Sequence, residues 1–255
     1  SNDLEKLKRI HRFVTNKILW NGVNDFTTSG SLKKVFRDER GNSADINMIL
    51  IAMLRQAGIK TDPVVLSTRS NGSLNPIVAM LQQFNYVVAY VSVGNETLLV
   101  DATDPLLPYE VLPFKCLNNK GWLVSLSNSK WVNLANEEKN VSFYTADLNL
   151  NKDGDVTGKI TNSYLGYLAL TRRNDVKLKS KKGYLEGFEI ENVDSLISPF
   201  KEEYQVFVPN GAQTFPDGII LNPYMISSNL ENPFVSNERK FSIDFGCPNM
   251  NIHTI

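Results

Sequence analysis

Few residues of this 255-residue chain could act as nucleophile, base or metal ligand: two cysteines, two histidines, and among the serines above all Ser43. The stretch "GNSADINMILIAMLRQAGI", residues 41–59, reads as a helix entered through a glycine. Its first turn is where the helix dipole would help to activate a thiol, and that place is filled by Ser43. A serine there is also what the start of any helix prefers.

Cys116, in "LLPFKCLNN", and Cys247 are far apart, and neither belongs to a C-x-x-C pair. With only His11 and His253 to add, no Cys/His zinc site assembles, so neither a metal nor another cofactor is expected. No histidine accompanies Cys116, which reads as a small buried hydrophobe. A Cys116–Cys247 disulfide would join what read as different domains, so free thiols are expected. His11, at the edge of an amphipathic helix, and His253, in a terminal stretch, read as structural or solvent-facing.

Three other motifs are weaker than they look. In "NLNKDGD", Asn149, Asn151, Asp153 and Gly154 fit the opening of a calcium loop, but position twelve is Ile160 rather than Glu and the flanks alternate as strands. A tight Asp-Gly hairpin is the better reading. Arg172, Arg173, Lys177, Lys179, Lys181 and Lys182 are followed by Glu186, Glu189 and Glu191, which reads as a solvated loop rather than an anion site. Asn71, Asn95 and Asn140 sit in glycosylation sequons that matter only in a eukaryotic secretory pathway.

Basic and acidic residues both total 27, so the net charge is zero and a nucleic-acid partner is disfavoured. The longest apolar run, Met48 to Leu54, is far below the roughly 20 residues that span a bilayer, so no membrane span is expected. Ser1 and Asn2 lead directly into a helical pattern without an initiator methionine, which reads as a tag remnant on an excised segment.

The elements that would position these residues follow from periodicity. Leu4, Leu7, Ile10, Val14 and Ile18 describe a first helix ending near Trp20, and "GSLKKVFRD" a short second one. The third opens at Gly41 with Asn42 or Ser43 as N-cap, is apolar nearly all round, and closes with Gly58 at C′. "DPVVLST", "NYVVAYVSV" and "TLLVDAT" read as strands, the last two joined at "GNE" in a hairpin. Helices followed by an antiparallel sheet imply an α+β fold. A boundary near residue 135 separates this core, 1–135, from a β-rich, sandwich-like domain, 136–255, with one helical or irregular insert around "YLGYLALTRRN".

The order helix, strand, strand ending in Asp resembles the transglutaminase-like core shared with papain-like cysteine hydrolases. In that family a Cys at a helix N-terminus, a His on one strand and an Asp on the next do the chemistry. "RGNSADINMILIAMLRQAGI" resembles the nucleophile helix with Ser43 in the Cys slot, "FNYVVAYV" puts Tyr86 in the His slot, and "LLVDATDP" supplies Asp101. The resemblance runs to about residue 125 through "CLNNKGW". "NPF", Arg239 and "DFG" resemble the β-domain that follows this core in some bacterial secreted proteins, which implies an extracytoplasmic setting and flanking domains.

A serine without a base is a poor nucleophile, and a tyrosine with a pKa of about 10 beside a carboxylate is a poor base. The resemblance therefore implies a degenerate triad and a binding or scaffolding module. Its former cleft would take a peptide or protein segment, with Ser43, Tyr86 and Asp101 lining it and Trp20 and Asn85 as neighbours. The alternatives are an active amide hydrolase or acyltransferase using Ser43, or Cys116 delivered from a neighbouring segment, and a structural spacer whose functional surface lies in flanking regions.

Overall fold

The computed structural model describes residues 2–75, 77, 80–134, 140–180, 187–195, 198–221, 238 and 249–254. Cys247, Arg239, "NPF" and "DFG" lie outside them. The chain divides into two compact units, Ser1–Glu138 and Lys139–Ile255, a few residues beyond the boundary read from the sequence. No described helix is long and apolar enough to cross a membrane.

In the first unit α1 (Asp3–Lys17) starts at an Asn2 cap and presents Leu7 and Val14 to the core. It stops before Trp20, because β1 (Leu19–Trp20) leaves the helix to pair in parallel with a later two-residue strand. α2 (Leu32–Asp38) is capped by Ser31 and is followed by that partner, β2 (Arg40–Gly41). α3 (Ser43–Gln56) carries a complete capping box between Asn42 and Asp45, so Asn42 is its N-cap and Ser43 its first helical residue. Gly58 follows the helix with φ +83°, the left-handed C′ conformation that glycine adopts without strain. Ile46, Leu50, Ile51 and Leu54 are wholly or almost wholly buried, as an all-round apolar helix requires.

Against α3 lies an antiparallel sheet of β3 (Thr61–Leu66), β4 (Tyr86–Val93), β5 (Glu96–Val100), β6 (Lys120–Leu123) and β7 (Lys130–Asn133), ordered β5-β4-β3-β6-β7. The β4–β5 hairpin brings Tyr86, at the start of β4, to the same end of the sheet as Asp101, just past β5. Helices followed by antiparallel strands make this unit α+β.

The second unit is β-rich. β8 (Asn140–Leu150) and β9 (Val156–Leu165) form a long hairpin, and Asn151 Oδ1 accepts the Asp153 and Asp155 amides at its tip. α4 (Gly166–Ser180) occupies the place left for the insert and packs on β8 and β9. β10 (Phe188–Glu191) and β11 (Phe200–Val208) continue the sheet, β12 (Ala212–Phe215) and β13 (Gly218–Leu221) form a separate hairpin, and β14 (Asn249–Thr254) runs parallel to β8. The reading of Arg172 and Arg173 as part of a solvated loop is corrected here: both lie on α4. Arg173 is 4% exposed and donates to the Asn192 and Ser198 carbonyls, and Arg172 forks onto the buried Glu202 carboxylate with two 2.6 Å bonds.

Gly41 is fixed by space rather than by its backbone angles. A Cβ there would stand 2.7 Å from Asp45 Cβ and 2.8 Å from Val35 Cγ1. Gly41→Ala is expected to lower unfolding stability by about 1–3 kcal/mol through overpacking at the start of α3. Urea denaturation checks this, and an unchanged midpoint would mean the α2–α3 corner yields without cost.

Candidate functional site

Asp101 is the centre of the site. It is 1% exposed, and among the described residues its carboxylate accepts four hydrogen bonds. Oδ1 takes the Thr103 amide at 2.9 Å and the Thr103 hydroxyl at 2.6 Å. Oδ2 takes Asn47 Nδ2 at 2.7 Å and the Tyr86 hydroxyl at 2.9 Å. Four donors suit a carboxylate removed from water, which must be hydrogen-bonded throughout to be tolerated.

Asn47 sits one turn beyond Ser43 on the otherwise apolar α3. Besides holding Asp101, it donates to the Val87 carbonyl at 2.9 Å and accepts the Ala102 amide at 2.9 Å. One side chain thus ties the helix to β4 and to the strand end carrying Asp101. His11 reaches the same place from α1, with Nε2 2.7 Å from the Asp101 carbonyl. A carbonyl only accepts, so Nε2 carries the proton, and burial lowers the pKa of this imidazole from its ordinary 6.5.

Tyr86 and Asp101 therefore converge, and Ser43 is engaged separately. The Ser43 hydroxyl donates to the Asp25 carbonyl at 2.8 Å and accepts the Asp25 amide at 2.9 Å, fastening the segment after β1 onto the start of α3. Its one proton is committed to a backbone oxygen, and among the described residues no base bonds the hydroxyl. Burial, and next the Asp101 charge, push the Tyr86 phenol well above 10, so near neutral pH it is a protonated donor and not a base. Cys116, the other candidate nucleophile, is fully buried, and burial raises its thiol well above the ordinary range. The thiolate that attack requires is suppressed.

Ser43, Tyr86 and Asp101, read from the sequence as lining the former cleft, are buried: Ser43 and Tyr86 are 0% exposed and Asp101 1%. Lys115 lies over the Tyr86 ring. Its Nζ lies 3.6 Å from the centre of the Trp20 ring and 4.8 Å from that of Tyr86, and donates to Asn24 Oδ1 at 3.2 Å. Trp20 itself donates from its indole to the Val23 carbonyl and remains half-buried at the surface. Asn85 is occupied elsewhere, accepting the Thr68 amide and donating to the Thr68 hydroxyl, both at 2.8 Å.

Lys115, Asn47, Thr103 and Asp25 were not singled out from sequence. Asn47 had a signal, an amide within an apolar helix at i+4 from Ser43. Lys115 had none, since it reaches the site from a three-residue helical turn more than twenty residues past Tyr86.

Two outcomes follow. Asn47→Ala deprives Asp101 of a donor and leaves the Ala102 amide unpaired, and is expected to cost about 2–4 kcal/mol, more than Tyr86→Phe at about 1–3, in urea unfolding. Equal and negligible losses would deny the network its structural role. His11 titrates lower folded than unfolded, so its contribution is complete above pH 6.5 and declines as pH falls from there towards the lowered folded value. The unfolding midpoint should fall from pH 7.5 to 5.5 more steeply in the native protein than in His11→Gln, and parallel slopes would exclude that origin.

The family model of the transglutaminase-like superfamily matches residues 1–134. No curated protein matches the chain. A similar solved structure is that of a "putative protease" from Parabacteroides distasonis, 18% identical with a TM-score of 0.41, over 62% of this chain and 30% of that one. The chain thus spans under a third of that protein's length. With a family match over more than half its residues, and with Asp101 just past β5 and the helix start at Ser43 in that region, the chain belongs to the transglutaminase-like superfamily.

Proposed function

We propose that this is a non-catalytic member of its superfamily, a peptide- or protein-binding or scaffolding module within a larger extracytoplasmic bacterial protein. The observation that carries the proposal is the hydrogen-bond state of the two replaced positions. Ser43 spends its proton on the Asp25 carbonyl, and Tyr86 is a buried phenol whose pKa is raised. General-base activation of a hydroxyl needs an acceptor with a pKa near the working pH, and neither the Asp25 carbonyl nor the Tyr86 phenol is one.

The binding half of the proposal rests on what lies above the buried network. Trp20, half-buried beside the 51%-exposed Val23, offers an aromatic surface with a fixed indole orientation. Such surfaces serve as anchors in recognition because a large contact area is gained for little lost side-chain freedom. The exported bacterial setting and the flanking domains come from the family resemblance and belong to the same proposal.

The test pairs turnover with binding. The protein is expected to release no product from a broad panel of peptide amides and activated esters, with Ser43→Ala indistinguishable from the native chain. Trp20→Ala is expected to weaken peptide capture by about tenfold, as for an aromatic anchor. Turnover abolished by Ser43→Ala would refute the non-catalytic reading, and capture indifferent to Trp20 would refute the binding surface.

A further inference from the structure

We infer that Lys115 is the anchor for a carboxylate of the bound peptide, either its free C-terminus or an Asp or Glu side chain. This deepens the peptide-binding reading and rests on it. An ammonium has three N–H donors, and here one meets the neutral Asn24 side chain. Among the described residues no carboxylate stands within ion-pair distance of it, and the acidic neighbours Asp101 and Asp104 attract it only from farther away.

The geometry shows an ammonium held in place rather than waving in water. Contact with the faces of Trp20 and Tyr86 fixes its position, and Lys115 is the middle residue of a short helical turn, Phe114–Cys116. Asp101 offers no better partner, since its oxygens already accept four bonds from Thr103, Asn47 and Tyr86. A positioned cation with unused donors, partly withdrawn from solvent beside an aromatic face, favours a carboxylate: the charge-assisted bond strengthens as water is excluded, and the ring takes the adjoining apolar group. Burial lowers the Lys115 pKa, and a bound carboxylate would oppose that shift.

The experiment uses an array of N-acetylated pentapeptides of mixed sequence in three sets: free C-terminal acid, C-terminal amide, and amide with every Asp and Glu changed to Asn and Gln. The native chain is expected to bind carboxylate-bearing peptides at least about tenfold more tightly than the fully amidated set, with the first two sets telling a C-terminal from a side-chain carboxylate. Lys115→Met, checked for folding by circular dichroism, should lose that preference while keeping its binding to amides. Lys115→Arg should retain the preference and stands in if the methionine variant does not fold. Equal binding of all three sets, weakened by Trp20→Ala, would overturn the carboxylate anchor and leave the peptide reading intact. Absence of binding to every set would overturn both.

Discussion

A carboxylate taken out of water has to be given hydrogen bonds by the protein, and the first unit is organised around doing so for Asp101. Its donors come from α3 through Asn47, from the start of β4 through Tyr86, and from the turn after β5 through Thr103, while His11 of α1 binds its main-chain carbonyl. Helix layer and sheet are thereby joined at one polar point as well as through the apolar face of α3. Because Asn47 also binds the Val87 carbonyl and the Ala102 amide, it cannot move without leaving buried groups unpaired, which costs more than the bond itself contributes.

Ser43 and Tyr86, which the family resemblance sets in the thiol and imidazole positions, make structural hydrogen bonds in the same arrangement. A hydroxyl at Ser43 satisfies both backbone groups of Asp25, which a larger, weakly hydrogen-bonding sulfur would do less well. A phenol at Tyr86 donates to Asp101, and burial and the neighbouring charge raise its pKa, so it stays protonated near neutral pH. Lys115 then covers the ring. Ser43 and Tyr86 thus both make hydrogen bonds that hold the fold, the serine proton lying on a backbone carbonyl and the phenol proton on a carboxylate.

Much of this was legible because it is local. The Asn42–Asp45 capping box, the apolar periodicity of α3 and the alternating strands are set by neighbours within a few residues, and the hairpin that aligns Tyr86 with Asp101 follows from its turn. The contacts of Lys115 and Asp25 were not legible. Asp25 reaches the site through irregular backbone and Lys115 from a three-residue helical turn, both placed by tertiary contacts that no period in the sequence records. Arg172 and Arg173 misled in the opposite sense, since a run of basic residues reads as solvated until the carboxylate and carbonyls facing them are known.

The central claim is that the Ser43 hydroxyl is a structural hydrogen-bonding group and not a nucleophile. The most direct measurement is to treat the native protein with a fluorophosphonate, which captures activated serines, and to locate any adduct by peptide mass spectrometry. The account predicts an unmodified Ser43 in the folded chain. A stoichiometric adduct there would contradict it, because it would require a base and an open approach where the structure has a backbone carbonyl and a buried side chain.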